Sequence, residues 1–439
     1  MISYKDSGVN WIGNIPDNWE IKKIKYLATS QESLFKDGDW IETKDIEESG
    51  IRYLTSGNVG EGYYKEQGEG YISQETFDKL RCLAVYPGDL MISRLNLPVG
   101  RACIVPNGHS IYVVAVDNVI LRPDIRYSKK YLMYIMNITG YAKEVELISR
   151  GTTMKRISRS LLGEIKIAVP NYNVQQEIVN FLDKKCLEID VVIAKIEKQI
   201  ELLKKYKKSL ISETVTKGLD KNVPMKDSEL EWIGKIPEHW EGKRLRYLAD
   251  FKTGGTPSEK FGIDIEGDYP WITASDIKSY YIQSFQQYIS EEAVSLCNYK
   301  IFPENTILIV CIASIGKIGI SKCKSYSNQQ ITALYNTLCN ERFLLYSIIQ
   351  QIDKIRLDAS SSVVPIINTS YLKDIYIGMP QERKEQIEIA DFLDKKCSEI
   401  DSVISKKERQ LNLIRKHRKS LIYEYVTGKK RVGGVDNGN

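Results

Sequence analysis

EIVNFLDKKCLEIDVVIAKIEKQIELLKKYKKSLISETVTKG, residues 177–218, is the stretch on which the fold turns. Apolar side chains recur at Leu182, Cys186, Ile189, Ile193, Ile196, Ile200, Leu203 and Leu210, and Lys207 takes one slot of the series. Spacings that alternate four and three mark a heptad seam rather than a single amphipathic face. Residues 388–429, EIADFLDKKCSEIDSVISKKERQLNLIRKHRKSLIYEYVTGK, match 25 of 42 positions at an offset of 211. Their seam reads Leu393, Cys397, Ile400, Ile404, Leu411, Ile414 and Leu421, with Lys407 interrupting and Arg418 in the slot of Lys207. Each run is entered from a proline-bearing strand end (AVPNYNVQQEI, GMPQERKEQI) and left at a glycine suited to a left-handed cap. Roughly 40 residues at about 1.5 Å each make a rod of about 60 Å. Such a helix alone would expose its seam, and its copy is the only other long seam in the chain. The two are therefore expected to pack together, antiparallel, about a pseudo-two-fold axis.

The duplication extends outward. DSGVNWIGNIPDNWEIKKIKYLA (6–28) and DSELEWIGKIPEHWEGKRLRYLA (227–249) share 13 of 23 positions at an offset of 221. Between the matched blocks lie 29–172 and 250–380, which share little identity but line up element by element as mixed α/β with short strands. A repeat with constant frame and divergent middles reads as two readers on a common frame. The expected architecture is mixed α/β, with two globular domains separated by two long antiparallel coiled-coil helices in an internal pseudo-two-fold repeat. The segments are 1–172 (first domain), 173–218 (first spacer helix), 219–380 (second domain), 381–431 (second spacer helix) and 432–439 (a disordered tail).

The chain has 439 residues, 42% hydrophobic and 27% charged, enough for several cores and neither disordered nor fibrous in composition. Its apolar runs are far too short to cross a bilayer, and MISYKDSGVNWIG has no export-signal pattern, so a cytoplasmic protein without membrane association is expected. Eight scattered cysteines without a C-x-x-C pair read as reduced, mostly buried thiols. The net charge of +5 permits a nucleic-acid partner without demanding one. Residues 29–172 hold 18 basic against 18 acidic side chains, and 250–380 hold 11 against 13. DNA contact by these segments would have to come from local clusters.

Such clusters exist. In the first domain Arg94, Asn96 and Arg101 flank the turn LNLPVG, and Arg150, Lys155 and Arg156 form a basic stretch with Thr152 and Thr153. Arginine suits bidentate contact to guanine and asparagine or glutamine to adenine, while lysine and threonine suit phosphates. In the second domain Thr253, Gly254, Gly255 and Thr256 form a loop whose amides could meet a phosphate, and Lys317, Asn328, Gln329 and Gln330 offer polar reading edges. Trp11, Trp19, Trp232 and Trp240 repeat with the constant block and read as packing residues. No P-loop, nucleophile elbow, H-E-x-x-H, dinucleotide fingerprint or N/D-P-P-Y/F motif occurs, and no histidine lies near a cysteine pair. The chain reads as non-enzymatic, without catalytic residue, metal or cofactor.

Taken together, the duplication, the W-I-G-x-I-P-x-x-W-E block, the F-L-D-K-K-C-x-E-I-D helix and the T-G-G-T-P-S…Y-P-W-I-T-A-S-D-I stretch resemble the specificity subunit of type I restriction–modification systems. The resemblance implies two target-recognition domains reading a bipartite, asymmetric site on double-stranded DNA. It implies two methyltransferase subunits docked on the helices, with Leu182, Ile189, Leu203, Leu393, Ile400 and Leu411 as candidate contacts, and motor and nuclease subunits that complete the complex. S-adenosylmethionine, ATP and Mg are then expected only in the partners. Where the first copy has Ser149-Arg150-Gly151-Thr152-Thr153, the second has Ser360-Ser361-Ser362-Val363-Val364, so that basic loop does not carry over. The competing expectations are a coiled-coil scaffold that binds proteins alone and an enzyme with an unfamiliar site.

Overall fold

The computed structural model describes residues 3–228, 234–256, 267–296, 300–359 and 364–433. The second copy's Ser360–Val363, Trp232, Cys297 and most of the expected tail (434–439) lie outside them. Two compact units result, residues 1–197 with 409–439 and residues 198–408.

Two long helices dominate the fold, Tyr172–Lys217 and Arg383–Val426, of 46 and 44 residues. Each is followed by a left-handed glycine, Gly218 (φ +74°) and Gly428 (φ +73°), the backbone state that ends a helix at least cost when no Cβ is present. Segments of both helices meet within each unit, and they run antiparallel. In the first unit Glu197 pairs with Arg415 at 2.6 Å and Asp190 with Arg418 at 2.9 Å, and the rings of Phe181 and Tyr425 lie 4.4 Å apart. In the second, Lys207 pairs with Asp401 at 2.7 Å and Lys407 donates to Gln199 at 2.7 Å. Numbers rise on one helix as they fall on the other. The seam cations Lys207 and Arg418 are tolerated because each meets an aspartate, Asp401 or Asp190, from the facing helix.

In the first unit a four-stranded antiparallel sheet is ordered Leu34–Asp37, Asn118–Arg122, Leu90–Ser93, Ala102–Ile104. Beside it lies a three-stranded sheet of Tyr71–Ile72, Ile51–Leu54 and Tyr112–Val114. In the second unit the corresponding sheet has five strands, Asp250–Thr253, Ile331–Tyr335, Thr306–Val310, Ile318–Ser321 and Tyr281–Ile282. The strands Leu90–Ser93 and Thr306–Val310 are buried along their whole length, which is why they read as unbroken apolar runs rather than alternating ones. Short helices follow in both units, Lys129–Ile135 and Glu341–Gln350, started by Ser128 and Asn340, whose side chains accept amides of the first turn.

Three duplicated hydrogen bonds brace the start of each long helix. Buried Gln175 and Gln386 each accept a backbone amide, from Ser128 at 2.7 Å and Asn340 at 2.8 Å, and donate to the prolyl carbonyls of Pro170 and Pro380. Asp183 and Asp394, the aspartates of F-L-D-K-K-C, accept the phenols of Tyr134 at 2.7 Å and Tyr346 at 2.8 Å. Trp19 and Trp240 are buried, in line with the packing role read for them. The seven described cysteines are free, and Cys186 and Cys397 are buried within the long helices. Burial pushes the Cys397 thiol up to about 11, which keeps it protonated and unreactive at neutral pH.

One copy carries a titratable brace that the other lacks. Asp89, 2% exposed, accepts from Arg122 at 2.7 Å and Lys129 at 3.1 Å. Burial alone would raise its carboxyl, but Arg122, the Tyr86 amide and Lys129 more than offset that and hold it below the ordinary 3.8. The equivalent residue is Asn305, which has no charge to lose. A depressed folded value contributes stability in full above the ordinary carboxylate range and loses it as pH falls through the folded value. Hydrogen exchange on the full chain should therefore show the first unit opening more readily below about pH 4 through this brace, with no matching loss at Asn305. Asp89→Asn should cost roughly 2–4 kcal/mol at pH 7, and the gap to wild type should close in acid. A gap independent of pH would refute the brace.

Candidate nucleic-acid interface

In the first domain two segments distant in sequence form one face. The turn after Leu90–Ser93 is zipped to the hairpin 150–156: the Asn96 amide donates to the Lys155 carbonyl at 2.9 Å, Leu95 bridges Arg156, and Arg150 and Arg156 exchange backbone bonds at 2.8 Å. Asn96, Arg150, Thr152, Thr153 and Arg156 are exposed there, and Lys155 is half-buried. Arg156 is held by Asp117 at 2.7 Å. Sequence reasoning missed two residues of this face, Leu97 and Met154, which are 56% and 57% exposed among the polar groups. Their only signal was an apolar residue inside each polar turn.

Arg94 and Arg101 do not belong to the exposed face. Both are buried, at 6% and 8%. Arg94 donates to the carbonyls of Ile157 and Val116 and lies 3.2 Å from Asp37. Arg101 donates to five carbonyls: Val59 at 2.6 Å, Ser56 at 2.7 Å, Asn96 at 2.8 Å, and Leu95 and Pro98 at 3.1 Å. A buried guanidinium turned onto the backbone in this way is not presented to guanine. These arginines build the turn that carries the readers. The second copy repeats the device in reduced form. Lys317, aligned with Arg101 across the repeat, donates to Ala274 O at 2.9 Å, and Ala274 aligns with Ser56.

The second domain also corrects a sequence expectation. The amides of Gly254 and Gly255 are taken by Ile331 O at 3.0 Å and Ser327 O at 2.8 Å, so they are not free to cradle a phosphate. Glycine is required at 254 for another reason: a Cβ there would lie 2.1 Å from Ser327 O. Thr253 is exposed, with its hydroxyl 3.2 Å from that of Thr369. Thr256 donates to Gln329, and Asn328 to Gln330 at 3.2 Å, so these four side chains form a single polar patch. In the segment that matches the hairpin 150–156, residues 361–363 lie outside the described ones, Val364 is exposed, and the strand end pairs with the turn as in the first copy, with the Ala313 amide donating to Pro365 O at 3.1 Å and Ile366 bridging Ile312.

The six seam residues offered as partner contacts are used otherwise. Leu182, Leu393, Ile400 and Leu411 are buried, and Ile189 and Leu203 half-buried, in the helix packing and the domain cores. Exposed apolar side chains on the helices include Leu187, Val191, Leu202, Tyr206 and Leu413. Among the described residues no group of three His, Cys, Asp or Glu is placed to hold a metal ion, and no helix is long and apolar enough to cross a membrane.

The family model for the type I restriction modification DNA specificity domain matches residues 16–202 and again 237–413. The chain belongs to this family. It is a type I specificity subunit, the DNA-target-recognition and non-catalytic component of such a system. A putative type I restriction enzyme specificity subunit, MjaX, from Methanocaldococcus jannaschii is 26% identical over 96% of both chains. The MjaIX specificity subunit from the same organism is 31% identical over 42% of this chain and 43% of its own. Among solved structures, a chain from a study of complex assembly and conformational transition of the type I R-M system superposes with a TM-score of 0.73, at 13% identity, over 95% of this chain and 99% of that one. The HsdS subunit from Thermoanaerobacter tengcongensis gives a TM-score of 0.52 at 14% identity over 95% and 98%. At these identities the superpositions speak for the fold: two repeated α/β domains with paired long helices.

Of the exposed cations in the subunit's first face, Arg150 has no carboxylate partner among the described residues. Arg150→Gln should weaken DNA binding of the assembled complex. A uniform loss across sequences with a salt slope lower by about 0.9 marks a phosphate contact, and a loss of about 1–3 kcal/mol confined to one base pair marks a base contact. No change in either measure would remove it from the interface.

Proposed function

We propose that the subunit reads a bipartite, asymmetric DNA target, one half-site per domain, and brings methyltransferase and motor–nuclease subunits to it. The observation that carries this reading is the contrast inside the repeat. The glutamine and aspartate braces to the long helices are duplicated, whereas the turn residues that are exposed or half-buried differ: Asn96, Arg150, Thr152, Thr153 and Lys155 in one copy, Thr256, Asn328, Gln329 and Gln330 in the other. A frame kept constant under changing tips fits two readers with two sequences to read. Partner subunits dock on exposed helix faces such as Leu187–Val191 and Leu202–Tyr206, and bring S-adenosylmethionine, ATP and Mg with them. The setting is the cytoplasm, where the DNA is.

Methylome sequencing of cells that carry the subunit with its methyltransferase tests this. The expected motif has two specific halves around a fixed gap, and replacing residues 29–172 with another such domain should change one half only. Loss of both halves, or no methylated motif at all, would count against independent readers and favour a scaffold that binds proteins alone.

A further inference from the structure

We propose that the second domain holds a DNA backbone phosphate, outside the bases it reads, in a cationic recess that the first domain has lost or never acquired; the proposal rests on the DNA-reading function above. The recess, about 340 Å³, lies where the helix segment 204–211 meets the turn at Gly316. Lys204, Lys207, Lys208, Lys278, Lys317 and Arg356 line it, with Asp353 as the only carboxylate in the lining. Asp401 and Glu408 stand behind, paired with Lys207 at 2.7 Å and Lys204 at 3.7 Å. Six cations against three carboxylates leave an excess of three positive charges. The floor is apolar, from Ile211, Ile277, Ile318 and Ile352. Low-dielectric walls strengthen the attraction of such a site for an anion.

The duplication supplies the control. The first unit has a recess of similar size, about 390 Å³, at the equivalent place: Arg418, Lys419 and Ile422 stand for Lys207, Lys208 and Ile211, each 211 residues away. There two cations face two carboxylates, Glu61 and Asp190, and the balance is zero. The helix charges are common to both copies. What differs is the domain side, where Lys278, Lys317 and Arg356 outnumber Asp353 in one copy and Glu61 stands alone in the other. A solvated helix face would be cationic in both, so the excess belongs to the second domain itself.

The shape favours a polymer over a free ion. A second recess shares Lys317 and Arg356 and continues to Ala313, Ser314 and Pro365, so the cations border a groove that leads to the turn following Thr306–Val310. That turn corresponds to the one carrying Asn96 in the first copy. A phosphodiester strand entering along the groove would set the register of the duplex before any base is read.

The test uses the assembled complex, target and non-target duplexes, and a salt series. Lys204→Gln with Lys278→Gln should lower the slope of log affinity against log salt by about 1.8, two contacts at about 0.9 each. Target and non-target should weaken alike, with the methylated motif unchanged. Lys419→Gln in the neutral recess should leave the slope as it is. An unchanged slope in the double variant, or an equal drop in Lys419→Gln, overturns the site. Inorganic tripolyphosphate added to the chain without DNA separates the sources: saturable binding that needs Lys204 and Lys278, with an unchanged DNA slope, overturns the DNA assignment. A wild-type complex with no motif preference would overturn the functional reading instead, and the slope change would still report the phosphate site.

Discussion

Arg101→Met should abolish recognition of one half of the DNA target and leave the other half intact. The side chain is 8% exposed and each of its three guanidinium nitrogens donates to carbonyls of two turns, 56–59 and 95–98. Methionine fills most of the space and donates nothing. Each carbonyl left buried without a partner costs about 1–3 kcal/mol, and since the turn can open to water the net loss should be roughly 3–5 kcal/mol, felt locally rather than as global unfolding. Hydrogen exchange should rise at 55–60 and 94–100, and the methylated motif should become degenerate in one half. Arg101→Lys is the discriminating variant. The second copy works with Lys317 on the equivalent carbonyl, so lysine should restore part of the protection and part of the specificity. A methionine variant with an intact motif would show that this turn does not position the readers.

Asp394→Ala should be the most destabilising single change on the second long helix. Its carboxylate accepts from Tyr281 at 2.6 Å, from Tyr346 at 2.8 Å and from Arg342 at 2.8 Å. Burial pushes the phenols of Tyr281 and Tyr346 up, reinforced by Asp394 at both and by Cys397 at Tyr346, so both remain donors at any working pH. Hydrogen bonds to a charged group contribute about 1.5–3 kcal/mol each. They are not additive, so a loss of about 3–5 kcal/mol is expected for the second unit, measured by urea dependence of hydrogen exchange on the full chain. Asp183→Ala removes the smaller counterpart, Tyr134 at 2.7 Å and the exposed Lys130, and should cost about half as much. Equal and small effects at the two sites would show that the domains are held to their helices by apolar packing alone.

Much of the fold was legible because it rests on periodicity. The seam from Leu182 to Leu210 and its copy from Leu393 to Leu421 predicted two long helices and their mutual packing, and a seam of that length has few other partners. The element-by-element match of 29–172 and 250–380 likewise predicted a shared domain fold. The interface was less legible. Arg94, Arg101, Gly254 and Gly255 have the residue types that touch DNA, yet the two arginines are buried against carbonyls and the two glycine amides are bonded to backbone. Residue type is written in the sequence; whether a donor is still free depends on which carbonyls the fold brings within 3 Å. The duplicated Gln175 and Gln386, and Asp183 and Asp394, were visible as identities but carried no sign of what they brace.

The sequence by itself determined the duplication, the paired helices and the family, because repeats and heptads are one-dimensional patterns that survive divergence of everything between them. Only the tertiary structure decided which cations are spent and which remain. A cation is engaged by neighbours in space: Arg101 by carbonyls of two separate turns, Lys207 by an aspartate nearly two hundred residues away on the facing helix. The cationic recess of the second domain and its neutral twin arise the same way, from helix and domain side chains whose juxtaposition no reading along the chain contains.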